Sequence, residues 1–151
     1  MKLEAVIEIP RGCDRRLHLN FAKTAIEDFG PIKERIPVND GVMPVAYGYI
    51  DNTKNPKEGD EVDVLIFSNK DFKTGEKIQV VPFGCINRDD GDHKVLAMDD
   101  TLNYGTWEDV PKEDRDLILE YFGYNHVIES IEGREAVEKY IKENSTANAI
   151  V

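Results

Sequence analysis

Few cysteines, few histidines and no long apolar run mark this chain of 151 residues. Its two cysteines, Cys13 and Cys85, are too few for a disulfide framework, and Cys85 in an apolar run reads as a buried reduced thiol. A reducing, cytoplasmic compartment is therefore expected. No stretch nears the ~18 apolar residues of a membrane helix, and Met1–Glu8 carries acids where a signal peptide needs apolar residues. Positive charge is also in deficit: 19 Lys and Arg face 30 Asp and Glu, a net charge of −11. So acidic a surface repels phosphate backbones and anionic lipid, so neither nucleic acid nor a membrane is an expected partner. There is no nucleophile elbow, no paired-cysteine metal spacing, no Walker A loop and no dinucleotide glycine fingerprint. His18, His93 and His126 share no ligand spacing.

What is present suits one globular domain, 1–151. The first three quarters read as strands and turns. Ala5–Ile9, Leu17–Phe21, Val45–Ile50, Val62–Phe67, Lys77–Ile86 and Lys94–Met98 are strand candidates, with Pro82 implying a bulge or edge. The segments around Asp28–Pro31, Asn52–Gly59 and Asp89–Asp92 read as loops or turns. The period then changes. Pro111–Asp114 opens a helix with Leu117, Ile118, Tyr121 and Phe122 on one face and Gly123 as its stop. A second helix follows Gly133 through Lys142, and 144–151 is expected to fray. Strands followed by two helices predict a mainly β fold with flanking α, a closed or partly closed barrel with the helices packed outside.

The most informative stretch is Glu58-Gly59-Asp60-Glu61-Val62-Asp63, four carboxylates in six residues at a loop-to-strand transition. Two like charges ~4 Å apart repel by about 4 kcal/mol at an effective dielectric of 20. A fold that gathers several of them favours a proton or a hard divalent cation. In a regular strand Asp60 and Asp63 would point apart, and they converge only where the chain bends, which Gly59 permits. Alone, such a cluster also reads as a solvated acidic loop. The apolar run after Asp63 favours a site, because it places Asp63 at or inside a buried strand. The turn Asp89-Asp90-Gly91-Asp92 ahead of Lys94 is a second candidate ligand set. Arg11, Arg15, Arg16, Arg35 and Lys94, near strand ends, suit phosphate oxygens or ordinary surface ion pairs.

Glu58–Val64 resembles the acidic signature of the family I soluble inorganic pyrophosphatases. The resemblance is ordered along the chain. It takes in Val6–Pro10, Pro44–Ile50, Asp92-His93-Lys94, Glu108–Pro111 and Glu120–Phe122, and covers about Val6 to Lys142. It implies an OB-like five-stranded β-barrel with two outer helices, Mg²⁺-dependent hydrolysis of pyrophosphate (Mn²⁺ or another divalent ion as alternatives) and a homohexamer. It further implies metal ligation by Glu58, Asp63, Asp92 and one of Asp89 or Asp90, with Asn87 aligning as a third option. Asp60 would take the proton from the attacking water. Arg16, Arg35, Lys94 and Tyr124 would hold phosphate oxygens. Tyr47 would line the same pocket, and Glu8 and His18 would support it. Five residues depart from the family pattern: Arg16 for lysine, His18 for glutamate, Met43 for tyrosine, Glu58 for aspartate and Asn125 for lysine. The segment between His18 and Arg35 is longer than in typical bacterial members. These departures leave two alternatives, a related phosphohydrolase with another small phosphate substrate or a non-catalytic metal-binding paralogue.

Overall fold

The computed structural model of the protein describes residues 1–146, 149 and 150. Eight strands form: β1 (Leu3–Ile9), β2 (Arg15–Leu19), β3 (Ile26–Pro31), β4 (Ala46–Ile50), β5 (Val62–Phe67), β6 (Lys77–Arg88), β7 (Lys94–Met98) and β8 (Ile128–Glu132). Helix α1 is Lys112–Phe122 and α2 is Arg134–Glu143, with three short 3₁₀ turns elsewhere. The main sheet runs β1-β4-β5-β7-β6-β8, and β1 also pairs with β6. That extra pairing closes five strands into a ring, which removes their free edges. All ring pairings are antiparallel except β5–β7.

The strand alternation sorts the core into two clusters. Val62, Val64 and Ile66 of β5 share one with Val137 and Ile141 of α2. Leu65 and Phe67 share the other with Ile118, Tyr121 and Phe122 of α1. Asp63 lies at i−2 from Leu65, and Lys94 at i−2 from Leu96, so both fall on the α1 side. The expected bulge at Pro82 is present, where the β6–β7 register shifts between Pro82 and Gly84.

The segment around Asp28–Pro31, read from the sequence as a loop, belongs to strand β3. It pairs with β2 as a separate two-stranded hairpin. Its residues are largely exposed and show no period-2 apolar signal. The cross-strand pairing itself, aided by an Arg15–Asp28 ion pair of 3.0 Å, makes the strand. This hairpin fills the long segment between His18 and Arg35. Strand β8, also unread, pairs with β6, and its half-buried Ile128, Ser130 and Ile131 are interrupted by exposed Glu129 and closed by exposed Glu132. Of the tail expected to fray, Ser145 bridges Thr53, Ile150 bridges Leu3 and Ala149 is buried. Ala147, Asn148 and Val151 lie outside the described residues. No helix among the described residues is long and apolar enough to cross a membrane.

Candidate active site

The acidic loop is shaped from its base. Thr53 Oγ1 donates to the Ile50 carbonyl at 2.6 Å and accepts from the Val62 N–H at 3.0 Å, pinning both ends. Asn55, buried, accepts from the N–H groups of Lys57 (2.8 Å) and Glu58 (3.3 Å), while its carbonyl accepts from Gly59 at 2.9 Å. These turn bonds force a left-handed residue, and Gly59 supplies it at φ +81°. The chain thus bends just before β5, and Glu58, Asp60 and Asp63 converge on one cavity of about 600 Å³.

The second acidic turn closes the opposite wall. Register alignment of β5 with β7 sets Asp63 beside Lys94. Lys94 is 3% exposed, and its ammonium donates to Asp63 Oδ2 at 2.8 Å, Asp92 Oδ2 at 3.0 Å and the Tyr47 hydroxyl at 3.0 Å. Glu58, Asp60 and Asp63 from around Gly59 therefore meet Asp90 and Asp92 from the turn ahead of Lys94 in one pocket, while Glu61 pairs with Lys23 at 3.0 Å.

Glu8, Arg16, His18, Arg35, Tyr47 and Tyr124 line that cavity too. The β2–β3 hairpin carries Arg16 and His18 to it. Arg16 donates to the Phe29 carbonyl, and its buried Nε has no hydrogen-bond partner among the described residues. Glu8 Oε2 accepts from the Leu19 N–H at 3.0 Å and lies 3.6 Å from His18 Nδ1, tying the hairpin to the barrel. All five residues that depart from the family pattern, Arg16, His18, Met43, Glu58 and Asn125, sit on the cavity wall.

The three options ahead of Lys94 separate. Asp90 lines the cavity, whereas Asp89 and Asn87 do not. Asp89 Oδ1 accepts from the Val127 N–H at 3.1 Å, and Asn87 is taken by Ser130 at 3.1 Å. Among the wall residues not singled out as site residues in the sequence are the basic Arg88 and the imidazole of His126. Arg88 forks onto Asp90 at 2.7 and 3.2 Å. Its only sequence signal was a basic residue just before an acidic turn. His126 Nδ1 lies 3.4 Å from Asp90 and 3.7 Å from Asp89, a closeness made by the β6–β8 pairing and invisible in spacing.

Electrostatics follow from this crowding. Desolvation, then Asp92, Asp60 and Asp63, hold the Glu58 carboxyl above its ordinary value. Asp60 is raised by desolvation and by Asp92 and Glu61. Asp92 is raised by burial and Asp63, with Lys94 opposing. Burial, with Asp63 and Asp92, drives the Tyr47 hydroxyl well up, so it stays protonated. Asp90 differs: against desolvation, the Arg88 fork holds it low.

The residues present fit a hard divalent ion. Among the described residues Asp92 Oδ1 is buried without a hydrogen-bond partner, an orphaned oxygen that a cation would satisfy. The surrounding donors are carboxylate oxygens, the chemistry that Mg²⁺, Ca²⁺ and Mn²⁺ favour. At the rim, Asp89, Asp90 and His126 bring one ligand atom each within 4.8 Å of one another.

Comparison with known proteins agrees with this geometry. The family described as inorganic pyrophosphatase matches residues 5–151. The chain is 30% identical over 118 residues to an inorganic pyrophosphatase of Ureaplasma parvum serovar 3, covering 74% of this chain and 62% of that protein. It is 27% identical over 161 residues to one of Nanoarchaeum equitans, covering 95% of each. In structure it resembles the inorganic pyrophosphatases of Ehrlichia chaffeensis (TM-score 0.83, 24% identity, 95% of this chain and 92% of that one) and Neisseria gonorrhoeae (TM-score 0.78, 25% identity, 95% and 88%). An acidic loop and an acidic turn meeting on a closed five-stranded barrel are thus accompanied by a sequence match along almost the whole length, and the chain belongs to the inorganic pyrophosphatase family.

Proposed function

We propose that the protein hydrolyses inorganic pyrophosphate to two phosphates in a reaction dependent on Mg²⁺, with Glu58, Asp63 and Asp92 as metal ligands. The observation that carries this reading is the convergence of carboxylates from two separate segments with arginine and lysine groups in one cavity. When bound, divalent ions lower the pKa of water and neutralise pyrophosphate charge. Asp60, raised by desolvation, is the proton acceptor for the attacking water. Arg16, Arg35, Lys94 and Tyr124 orient phosphate oxygens and offset charge that develops on transfer. The buried, unpartnered Nε of Arg16 supports that role. Tyr47 accepts from Lys94 and keeps its ammonium in place. Glu8 holds the hairpin that delivers Arg16 and His18.

The same reading takes the chain as a single domain of a cytoplasmic homohexamer, with Mn²⁺ as a substitute ion and no nucleic-acid partner. Exposed Phe21 (98%), Ile26 and Phe29 on the hairpin support an assembly surface. The net charge of −11 disfavours nucleic acid.

Phosphate release from pyrophosphate, measured with Mg²⁺ and with chelator, tests the function. Release that needs Mg²⁺ and is lost in both Asp60→Asn and Asp63→Asn is expected. Full activity in both variants would remove the mechanism. Turnover of another small phosphate compound in preference to pyrophosphate would move the activity to that substrate.

A further inference from the structure

Arg88 lies at the end of β6, two residues beyond Ile86 of the α1-side core, and is 8% exposed. Every nitrogen of its guanidinium has an acceptor. Nε donates to Asp90 Oδ1 at 3.2 Å, and Nη1 donates to the Phe122 carbonyl at 3.1 Å. Nη2 donates both to Asp90 Oδ2 at 2.7 Å and to Asp92 Oδ2 at 3.4 Å. One nitrogen thus bridges two carboxylates from the same acidic turn. The backbone helps fix the group, since the Arg88 N–H donates to His93 Nδ1 at 3.0 Å. This is not a surface pair held loosely in water. The side chains of Arg88, Asp90 and Asp92 are only 10%, 29% and 13% exposed.

The cavity's charge adds a second argument. Six carboxylates line it (Glu8, Glu58, Asp60, Asp63, Asp90 and Asp92), against four fixed cations (Arg16, Arg35, Arg88 and Lys94). Two negative charges remain, and without Arg88 there would be three. A planar, weakly hydrated guanidinium is well suited to neutralise paired carboxylates at such burial. Asp92 is divided between two tasks: Oδ2 faces Arg88 and Lys94, while Oδ1 is left without a partner.

We propose that Arg88 is a built-in cation between Asp90 and Asp92, filling a place that a divalent ion would otherwise take. Asp90 is then no metal ligand, and the centre loads one ion fewer than its carboxylates could hold. Asp92 serves metal through Oδ1 alone. This inference rests on the metal-binding part of the proposed function.

The test is the number of Mn²⁺ ions bound per chain, by calorimetric titration of metal-free protein. Arg88→Met keeps the bulk and removes the charge, and is expected to bind one more Mn²⁺ than the wild type. Arg88→Met combined with Asp90→Asn is expected to return to the wild-type number. Asp90→Asn alone, with Arg88 in place, is expected to leave the number unchanged. This arm decides the matter even where Arg88→Met does not fold. An unchanged count in folded Arg88→Met, or a lost ion in Asp90→Asn, overturns the proposal. Pyrophosphate assays run in parallel keep the two readings apart. A wild type that binds Mn²⁺ but releases no phosphate sinks the substrate assignment alone, and an active wild type with no extra ion in Arg88→Met sinks only the role of Arg88.

Discussion

Asp63 and Lys94 are in register across the one parallel pair of the ring, and their side chains form a 2.8 Å ion pair. The same ammonium holds Asp92 at 3.0 Å. Two carboxylates 29 positions apart in the sequence are thereby drawn together at a point almost closed to water. The pair anchors the acidic side of the cavity, and its lysine is a candidate phosphate contact.

Lys94→Met tests the anchor. It leaves Asp63 and Asp92 partly buried without their shared cation. Breaking a buried pair by removing one partner costs roughly 3–5 kcal/mol. Urea denaturation of metal-free protein should show a loss of that order. Wild-type stability in the variant would mean that solvent or rearrangement already compensates the two acids.

Asp60→Asn separates chemistry from architecture. Among the described residues Asp60 makes no ion pair, and it borders the cavity from a loop. Loss of a general base slows a reaction by about 10²–10⁴-fold. Steady-state phosphate release should fall by that factor, while the melting temperature of the metal-free protein stays within a few degrees. A fall of less than tenfold would assign the proton to another group.

The raised Glu58 carboxyl makes metal-free stability depend on pH. The folded chain binds this proton more tightly than the unfolded chain, whose ordinary value is 4.5. The resulting stabilisation is complete below 4.5 and is lost as pH rises through the folded value. Glu58→Gln cannot ionise. Relative to wild type it should therefore gain stability between about pH 4 and neutrality in chelator. Denaturation midpoints across that range check the sign, and a difference that does not change with pH would contradict it. Saturating Mg²⁺ should reverse the order at neutral pH, because only the wild type offers a charged ligand.

Gly48→Ala probes the barrel wall that carries Tyr47. A β-carbon at Gly48 would lie 1.9 Å from the Val6 carbonyl oxygen and 2.9 Å from its carbon. Both atoms belong to the backbone of β1, paired with β4, so neither can rotate away. A cost of roughly 3 kcal/mol, at the upper end for overpacking, is expected by urea denaturation. A variant as stable as wild type would show that β1 and β4 separate freely.

Much of the candidate site was legible before the fold, for reasons tied to particular residues. Four carboxylates in six positions followed by Val64-Leu65-Ile66 can be read because dense like charge and burial conflict unless a cation resolves them. Of those four, Glu58, Asp60 and Asp63 line the cavity, whereas Glu61 pairs with Lys23. Arg88 was not legible. A single arginine at a strand end looks like any solvated cation until the β6–β7 turn folds it onto Asp90. Strand β3 was missed because Glu27, Asp28 and Phe29 are exposed and carry no alternation.

The chain's own order of residues determined its strands with a buried face, its two helices and the acidic loop, because apolar periodicity and local turn bonds are short-range effects. Closure of the ring, the Asp63–Lys94 register, the choice of Asp90 over Asp89 for the cavity wall and the bridging of two carboxylates by Arg88 were decided only in three dimensions. Each joins groups whose meeting depends on strand pairing or on the path of a turn, and charge energies at these distances change within a few ångströms.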